Sequence, residues 1–257
     1  MKSEYTKPMQ YYLNLQDDFL YMNPIIRKKI RLIHLHYECI HCRYDTPIYR
    51  QGYCKKCFFT LPQINPSVLR PELSTAHLNI KQRDLEWEKS FELQPHIVYL
   101  AITGSLKIGV TREIQIPTRW IDQGAIQAIK IARTPNRYLA GIVEEALKEK
   151  VSDKTDYRAM IRKKIPDTDL LAMKYHLKEF FPQETQDHFI QEDDITHLHY
   201  PVENYPDKIQ ILHLKEIKDF EKKLMGIKGQ YWIFEDGSVI NIRNHEGFYI
   251  ETHIHND

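Results

Sequence analysis

The chain has 257 residues, 28% charged and 42% apolar, with a formal net charge of +1. That length can bury a real core in one large domain or two to three small ones. No apolar run approaches the ~18–20 residues of a membrane span, and MKSEYTKPMQYY has no apolar signal-peptide core, so the expected setting is cytoplasmic and away from membranes. The charge is unevenly spread: residues 101–165 carry 13 Lys/Arg against 7 Asp/Glu, whereas residues 166–207 carry 2 against 10. Nucleic acid is a plausible partner for the basic part, and the acidic 166–207 stretch could face a protein partner.

Residues 10–37 alternate in the strand manner and predict a small antiparallel sheet. Residues 38–75 hold all four cysteines. Arg83 to Glu88 predicts a short helix or bridging loop, with Arg83 and Asp84 as an ion-pair latch joining ribbon to hairpin in preference to a catalytic pair. Residues 95–119, PHIVYLAITGSLKIGVTREIQIPTR, predict a β-hairpin around Thr103-Gly104-Ser105. Val98, Leu100 and Ile102, with Leu106, Ile108 and Val110, would face a core, and Tyr99, Lys107, Gly109 and Thr111 would share the other face. Helices are expected over Trp120–Ile131, Tyr138–Val151, Asp156–Lys164 and within Ile165–Phe181. Residues 183–207 are acidic and polar and look like a linker. A short helix around Lys215–Leu224 then leads into strands Tyr231–Phe234, Val239–Ile242 and Phe248–Thr252, with Asp236-Gly237 as a hairpin turn. The terminal THIHND reads as a frayed end.

Cys39-x-x-Cys42 and Cys54-x-x-Cys57 are separated by eleven residues. Two such knuckles match a tetrahedral structural zinc, with disulfides or free thiols as the poorer alternatives. Four sulfurs close the tetrahedron, so His34, His36 and His41 are strand or loop histidines and the site is structural.

The hairpin and the residues after it resemble the GIY-YIG nuclease fold over roughly residues 96–160. Ile97-Val98-Tyr99 stands for that family's first motif and Lys107-Ile108-Gly109 for its second. The family's arginine aligns with Arg119, its helix-borne metal-binding glutamate with Glu144, and its later asparagine with Asp156. The resemblance implies metal-dependent phosphodiester cleavage. Glu144 would hold Mg²⁺ or Mn²⁺, Arg119 would grip the scissile phosphate, and Tyr99 would deprotonate or position water. Ala140 and Gly141 would leave room for a ligand. Lys107 replaces the second motif's tyrosine, Asp156 the asparagine and Ile97 the first glycine. Trp120 and Gln123, beside Arg119, could stack on or hydrogen-bond a base; Trp120 could equally pack in the core. Plainer uses exist as well: Glu144 can pair with Lys148, and Arg119 with Asp122.

The whole chain is also similar to an uncharacterised bacterial family of unknown function, through QGYCKKCF (51–58), RPEL (70–73), RDLEW (83–87), HIVYLA (96–101), KIGVTR (107–112), IPTRWIDQGA (116–125), VSDKT (151–155) and GIKGQYWIF (226–234). Relatives often carry further cysteines where this chain has Ile64, Ser67 and Ser74, and commonly read KTNW where it has Lys154 to Tyr157. The expected class is α+β: a β/zinc-ribbon module (1–95), a GIY-YIG-like domain (96–182), an acidic linker (183–207) and a C-terminal β-module (208–257). The expected function is nucleic-acid cleavage, with the ribbon positioning substrate. The alternatives are a non-catalytic nucleic-acid binder and a protein scaffold.

Overall fold

The computed structural model describes residues 1–15, 18–151 and 156–255. Strands β1 (Lys2–Glu4), β2 (Gln10–Asn14), β3 (Phe19–Tyr21) and β4 (Lys29–Tyr37) come first, then helices α1 (Lys55–Thr60), α2 (Pro66–Leu69) and α3 (Leu85–Glu92). Next are β5 (His96–Ile102), β6 (Leu106–Arg112), α4 (Thr118–Asp122), β7 (Gln127–Thr134) and α5 (Arg137–Leu147). Then follow α6 (Tyr157–Ile161), α7 (Leu170–Lys178), β8 (Ile195–His197), β9 (Gln210–Leu212), β10 (Asp219–Lys228), β11 (Tyr231–Phe234), β12 (Ser238–Asn241) and β13 (Phe248–His255). The protein is mixed α+β, and no helix among the described residues is long and apolar enough to cross a membrane.

The chain forms two compact units: one of Met1–Phe59, Ile161–Lys163 and Leu198–Asp257, the other of Thr60–Met160 and Lys164–His197. The first contains a three-stranded sheet, β1-β2-β3, and a six-stranded sheet in the order β13-β4-β10-β11-β12-β9. The sequence suggested separate first and last modules. Strand pairing joins them instead, because β4 is flanked by β10 and β13; Ile33 pairs with Asp219 on one side and Glu251 on the other. Arg31 helps hold this register through a two-pronged ion pair with Asp219, although its exposure limits its energetic weight. The expected helix at 215–224 is mostly strand β10, and the expected frayed end belongs to β13 as far as His255, with His253 Nε2 2.8 Å from Glu251 Oε1 and the last two residues outside the described ones. Trp232 and Lys228 are fully buried, so the GIKGQYWIF string contributes to the core.

The second unit carries the predicted hairpin in a four-stranded sheet ordered β6-β5-β7-β8. Tyr99 pairs with Gly109, Ala101 with Lys107 and Ile97 with Thr111, so the alternation predicted from sequence holds. Val98, Leu100, Ile102 and Ile108 form one core with Ile129 and Ile131 of β7, Val143 and Leu147 of α5 and Leu177 of α7. Each such fully buried side chain is worth about 1.5–3 kcal/mol. The expected helix at 120–131 is corrected to the short α4 followed by β7. The stretch read as a linker contains β8, which pairs with β7. Buried Lys174 ties down the same stretch, its Nζ donating to the Glu192 carbonyl and to Asp193 Oδ1 at 3.0 Å.

Two buried glutamates organise residues 60–92. Glu88 accepts from Asn65 Nδ2 (3.2 Å) and from the N–H groups of Gln82, Arg83 and Asp84. Glu92 accepts from the hydroxyls of Ser67 and Ser74 and from Ala76 N–H. Ser67 and Ser74 therefore meet around a carboxylate. Arg83 and Asp84 do different work from the expected latch. Asp84 caps α3 by accepting from Trp87 N–H at 3.1 Å, and Arg83 donates to the Leu61 carbonyl.

Candidate functional site

The two cysteine knuckles close on one another. The sulfurs of Cys39, Cys42, Cys54 and Cys57 all lie within 4.8 Å of each other, and Cys42 Sγ to Cys54 Sγ is 3.9 Å. Bonds of about 2.3 Å to a tetrahedral zinc would set sulfurs about 3.8 Å apart, so the donors and their spacing fit a metal such as zinc. Backbone N–H groups point at the sulfurs, from Cys54 to Cys39 Sγ (3.3 Å) and from Cys57 to Cys54 Sγ (3.5 Å). At Cys39, burial opposes ionisation, but the N–H groups of Cys54, Cys42 and His41 overcome it and bring the thiol down to about 6. At Cys57, burial and hydrogen bonding to the other three sulfurs push the thiol up to about 12. Gly52, at φ +77°, makes the turn into the second knuckle.

The hairpin site is assembled from four elements. Tyr99 projects from central β5, is fully buried, and donates its hydroxyl to Gln123 Oε1 at 2.8 Å. Burial raises its pKa; the charge of Arg119 and hydrogen bonds with Gln123 and Arg119 pull it back, and Glu144 adds to the rise. The phenol therefore keeps its proton near neutral pH and acts as a donor rather than a base. The residues felt by this one hydroxyl include Arg119 from α4, Gln123 just after α4 and Glu144 from α5.

Gly109 has a specific steric role here. A Cβ at that position would stand 2.6 Å from Tyr99 Oη and 2.8 Å from Cζ, so the glycine admits the tyrosine ring across the strand pair, not a ligand. Gly141 corrects another expectation. A Cβ there would lie 2.2 Å from the Glu72 nitrogen, so the space one turn before Glu144 is filled by the backbone of Pro71 and Glu72. Trp120 is 2% exposed and packs edge-on to Tyr99, with ring centroids 5.9 Å apart. It takes the core use of the two left open by sequence and offers no ring face to a base.

Lys107 and Thr111 are buried on the same face as Tyr99, and Thr111 donates to Gln115 Oε1 at 3.1 Å. Glu144 is buried as well. The expected partner Lys148 places its Nζ 2.9 Å from Glu145 Oε2 while also feeling Glu144 and Glu72. Asp156 is exposed and caps α6, accepting from Arg158 and Ala159 N–H at 3.0 and 3.1 Å. Its carboxylate is thus turned to its own helix. Lys154 and Thr155, which supported its alignment, lie outside the described residues.

Sequence reasoning missed Arg137. It is buried at the start of α5, donates to the carbonyls of Ser67 (2.8 Å) and Val68 (2.6 Å), and is brought down to about 10 by burial, partly offset by Glu92 and Glu144. Arg137, Gly141, Glu144 and Lys148 recur at helical spacing, a signal that could have marked one shared face of α5.

The family model described as a protein of unknown function (DUF2797) matches residues 27–250. The chain belongs to this family. No curated protein and no solved structure matches it.

Proposed function

We propose that the second unit is a GIY-YIG-like catalytic domain that cleaves nucleic-acid phosphodiesters with a divalent ion, and that the cysteine knuckles hold a structural zinc. The observation that carries this is the buried Tyr99 hydroxyl, hydrogen-bonded to Gln123 and Arg119 and within electrostatic reach of Glu144. Tyr99 on β5, Gly109 on β6, Arg119 on α4 and Glu144 on the later α5 follow the order that the resemblance implies. Arg119 is half-buried and presents a guanidinium suited to two phosphate oxygens. Tyr99, protonated and donating its one hydroxyl hydrogen to Gln123, would fix Gln123 and Arg119 in position for the substrate. Glu144 would hold Mg²⁺ or Mn²⁺, which would offset charge building on the phosphate. Lys107 adds positive charge on the same strand face.

Two observations favour a second reading, in which the domain binds nucleic acid without cutting it: a lysine replaces the second motif tyrosine, and the backbone of Pro71 and Glu72 packs on Gly141 beside Glu144. Incubation of the purified chain with single-stranded, duplex and structured DNA and RNA, with Mg²⁺ or Mn²⁺, separates the two. Cleavage abolished by Glu144→Gln supports the nuclease. Salt-sensitive binding without cleavage, weakened by Arg119→Ala, supports the binder. Absence of both removes nucleic acid as the substrate and leaves the protein scaffold.

A further inference from the structure

The cysteine knuckles carry a surface that a purely structural metal site does not need. Tyr49, Phe58 and Phe59 form a triangle of rings with centroids 5.1, 5.5 and 5.3 Å apart. Tyr49 is 42% and Phe59 54% exposed. The Arg50 guanidinium stands 5.5 Å from the Tyr49 ring. Lys55 and Lys56 are exposed on α1, the helix that bears Phe58 and Phe59. Lys55 lies three and four positions before those rings, so they share a helix side. From Cys39 to Thr60, Arg43, Arg50, Lys55 and Lys56 face one acid, Asp45.

Exposed rings bordered by cations match one ligand chemistry: flat bases joined by phosphates. Stacking on an aromatic side chain is worth about 1–3 kcal/mol per base and tolerates any sequence. A duplex hides its base faces in its own stack, so only unpaired nucleotides can use such rings. We propose that Tyr49, Phe58 and Phe59, with Arg50, Lys55 and Lys56, form a stacking platform for single-stranded nucleic acid. The proposal rests on the nucleic-acid reading above but not on cleavage.

The test uses the full chain carrying Glu144→Gln, so that no strand is cut, with its zinc content measured. Fluorescence anisotropy follows a labelled oligo(dT) or oligo(U) strand of about 15 nucleotides and a duplex of equal length. The single strand is expected to bind more tightly than the duplex. Tyr49→Ala with Phe59→Ala should weaken it about tenfold or more at unchanged zinc content, as expected for two lost stacking partners. Phe59→Tyr should preserve binding, and Lys55→Gln with Lys56→Gln should flatten the salt dependence. A 2-aminopurine in the strand should report stacking that disappears in the double alanine variant. Equal affinity for duplex and single strand, or single-strand binding indifferent to the aromatic pair, overturns the platform. So does self-association through the patch without nucleic-acid binding. Cleavage by the unsubstituted protein is scored separately: its absence alongside intact aromatic-dependent binding defeats the nuclease and leaves the platform standing.

Discussion

The cysteine knuckles and the hairpin face are two candidate sites built on opposite plans. The four sulfurs come from two short turns eighteen positions apart from end to end, and their spacing alone fits tetrahedral metal geometry. The Tyr99 group instead draws on a strand, two helices and the residue after one of them, and depends on a register that sets Tyr99 opposite Gly109. Residue type identifies the first site because each ligand chemistry is stringent and local. The second is defined by arrangement, since tyrosine, arginine and glutamate are common surface residues until a fold brings them together.

The largest effect is expected at the cysteines. Cys54→Ser should lose the bound zinc by metal analysis and lower the thermal midpoint strongly, since structural zinc contributes about 10–16 kcal/mol to folding in small zinc domains. Unchanged zinc stoichiometry would defeat the four-sulfur site.

At the hairpin the expected loss is in chemistry rather than folding. Glu144→Gln should cost on the order of 10²-fold or more in cleavage, as removal of a single electrostatic stabiliser does, with circular dichroism and thermal midpoint preserved. A variant that cuts as well as the parent would take Glu144 out of the mechanism.

His96 tests the electrostatics around the same sheet. It is fully buried, its Nδ1 lies 2.7 Å from the Gln94 carbonyl oxygen, and burial, with Arg137 and Arg112 nearby, lowers it from 6.5 to about 4. The unfolded chain therefore binds the proton first. Stability present above pH 6.5 should be lost as pH falls towards 4, by at most about 3 kcal/mol. Urea midpoints across this window should show that slope, and His96→Gln should flatten it.

The smallest effect is steric. Gly109→Ala should cost about 1–3 kcal/mol through the clash with Tyr99, and adding Tyr99→Leu should recover part of it. Strict additivity in the double-mutant cycle would show that the tyrosine is not what the glycine accommodates.

The hairpin, its turn and the α5 helix were legible because strict alternation and helical spacing report local geometry. The stretch from 120 to 131 misled for a physical reason. Ile121, Ala125, Ala128 and Ile129 sit at helical spacing, and β7 carries a bulge opposite Val98 and Tyr99 that breaks the period of two. Short apolar runs covered on both faces do not distinguish helix from strand. β10 was missed because its partner β4 is remote in sequence. At the candidate site, Tyr99, Arg119 and Glu144 could be named only through the resemblance to the GIY-YIG fold. The closing of the Gly141 space by Pro71 and Glu72, and the burial of Trp120, depend on tertiary packing that no local pattern encodes.

The pairing of Ile33 with both Asp219 and Glu251 has a consequence for biosynthesis. β4 emerges from the ribosome long before either neighbour exists, whereas β5, β6, β7 and α5 follow one another closely and can pack as soon as they are made. The nascent chain must carry an unpaired strand with two open edges through most of its translation, at synthesis speeds of about 5–20 residues per second. Such an edge invites foreign strands, and β4 meets that hazard with Lys29, Arg31 and two histidines along its nine residues, charges and polar groups that discourage premature pairing until β10 and β13 arrive.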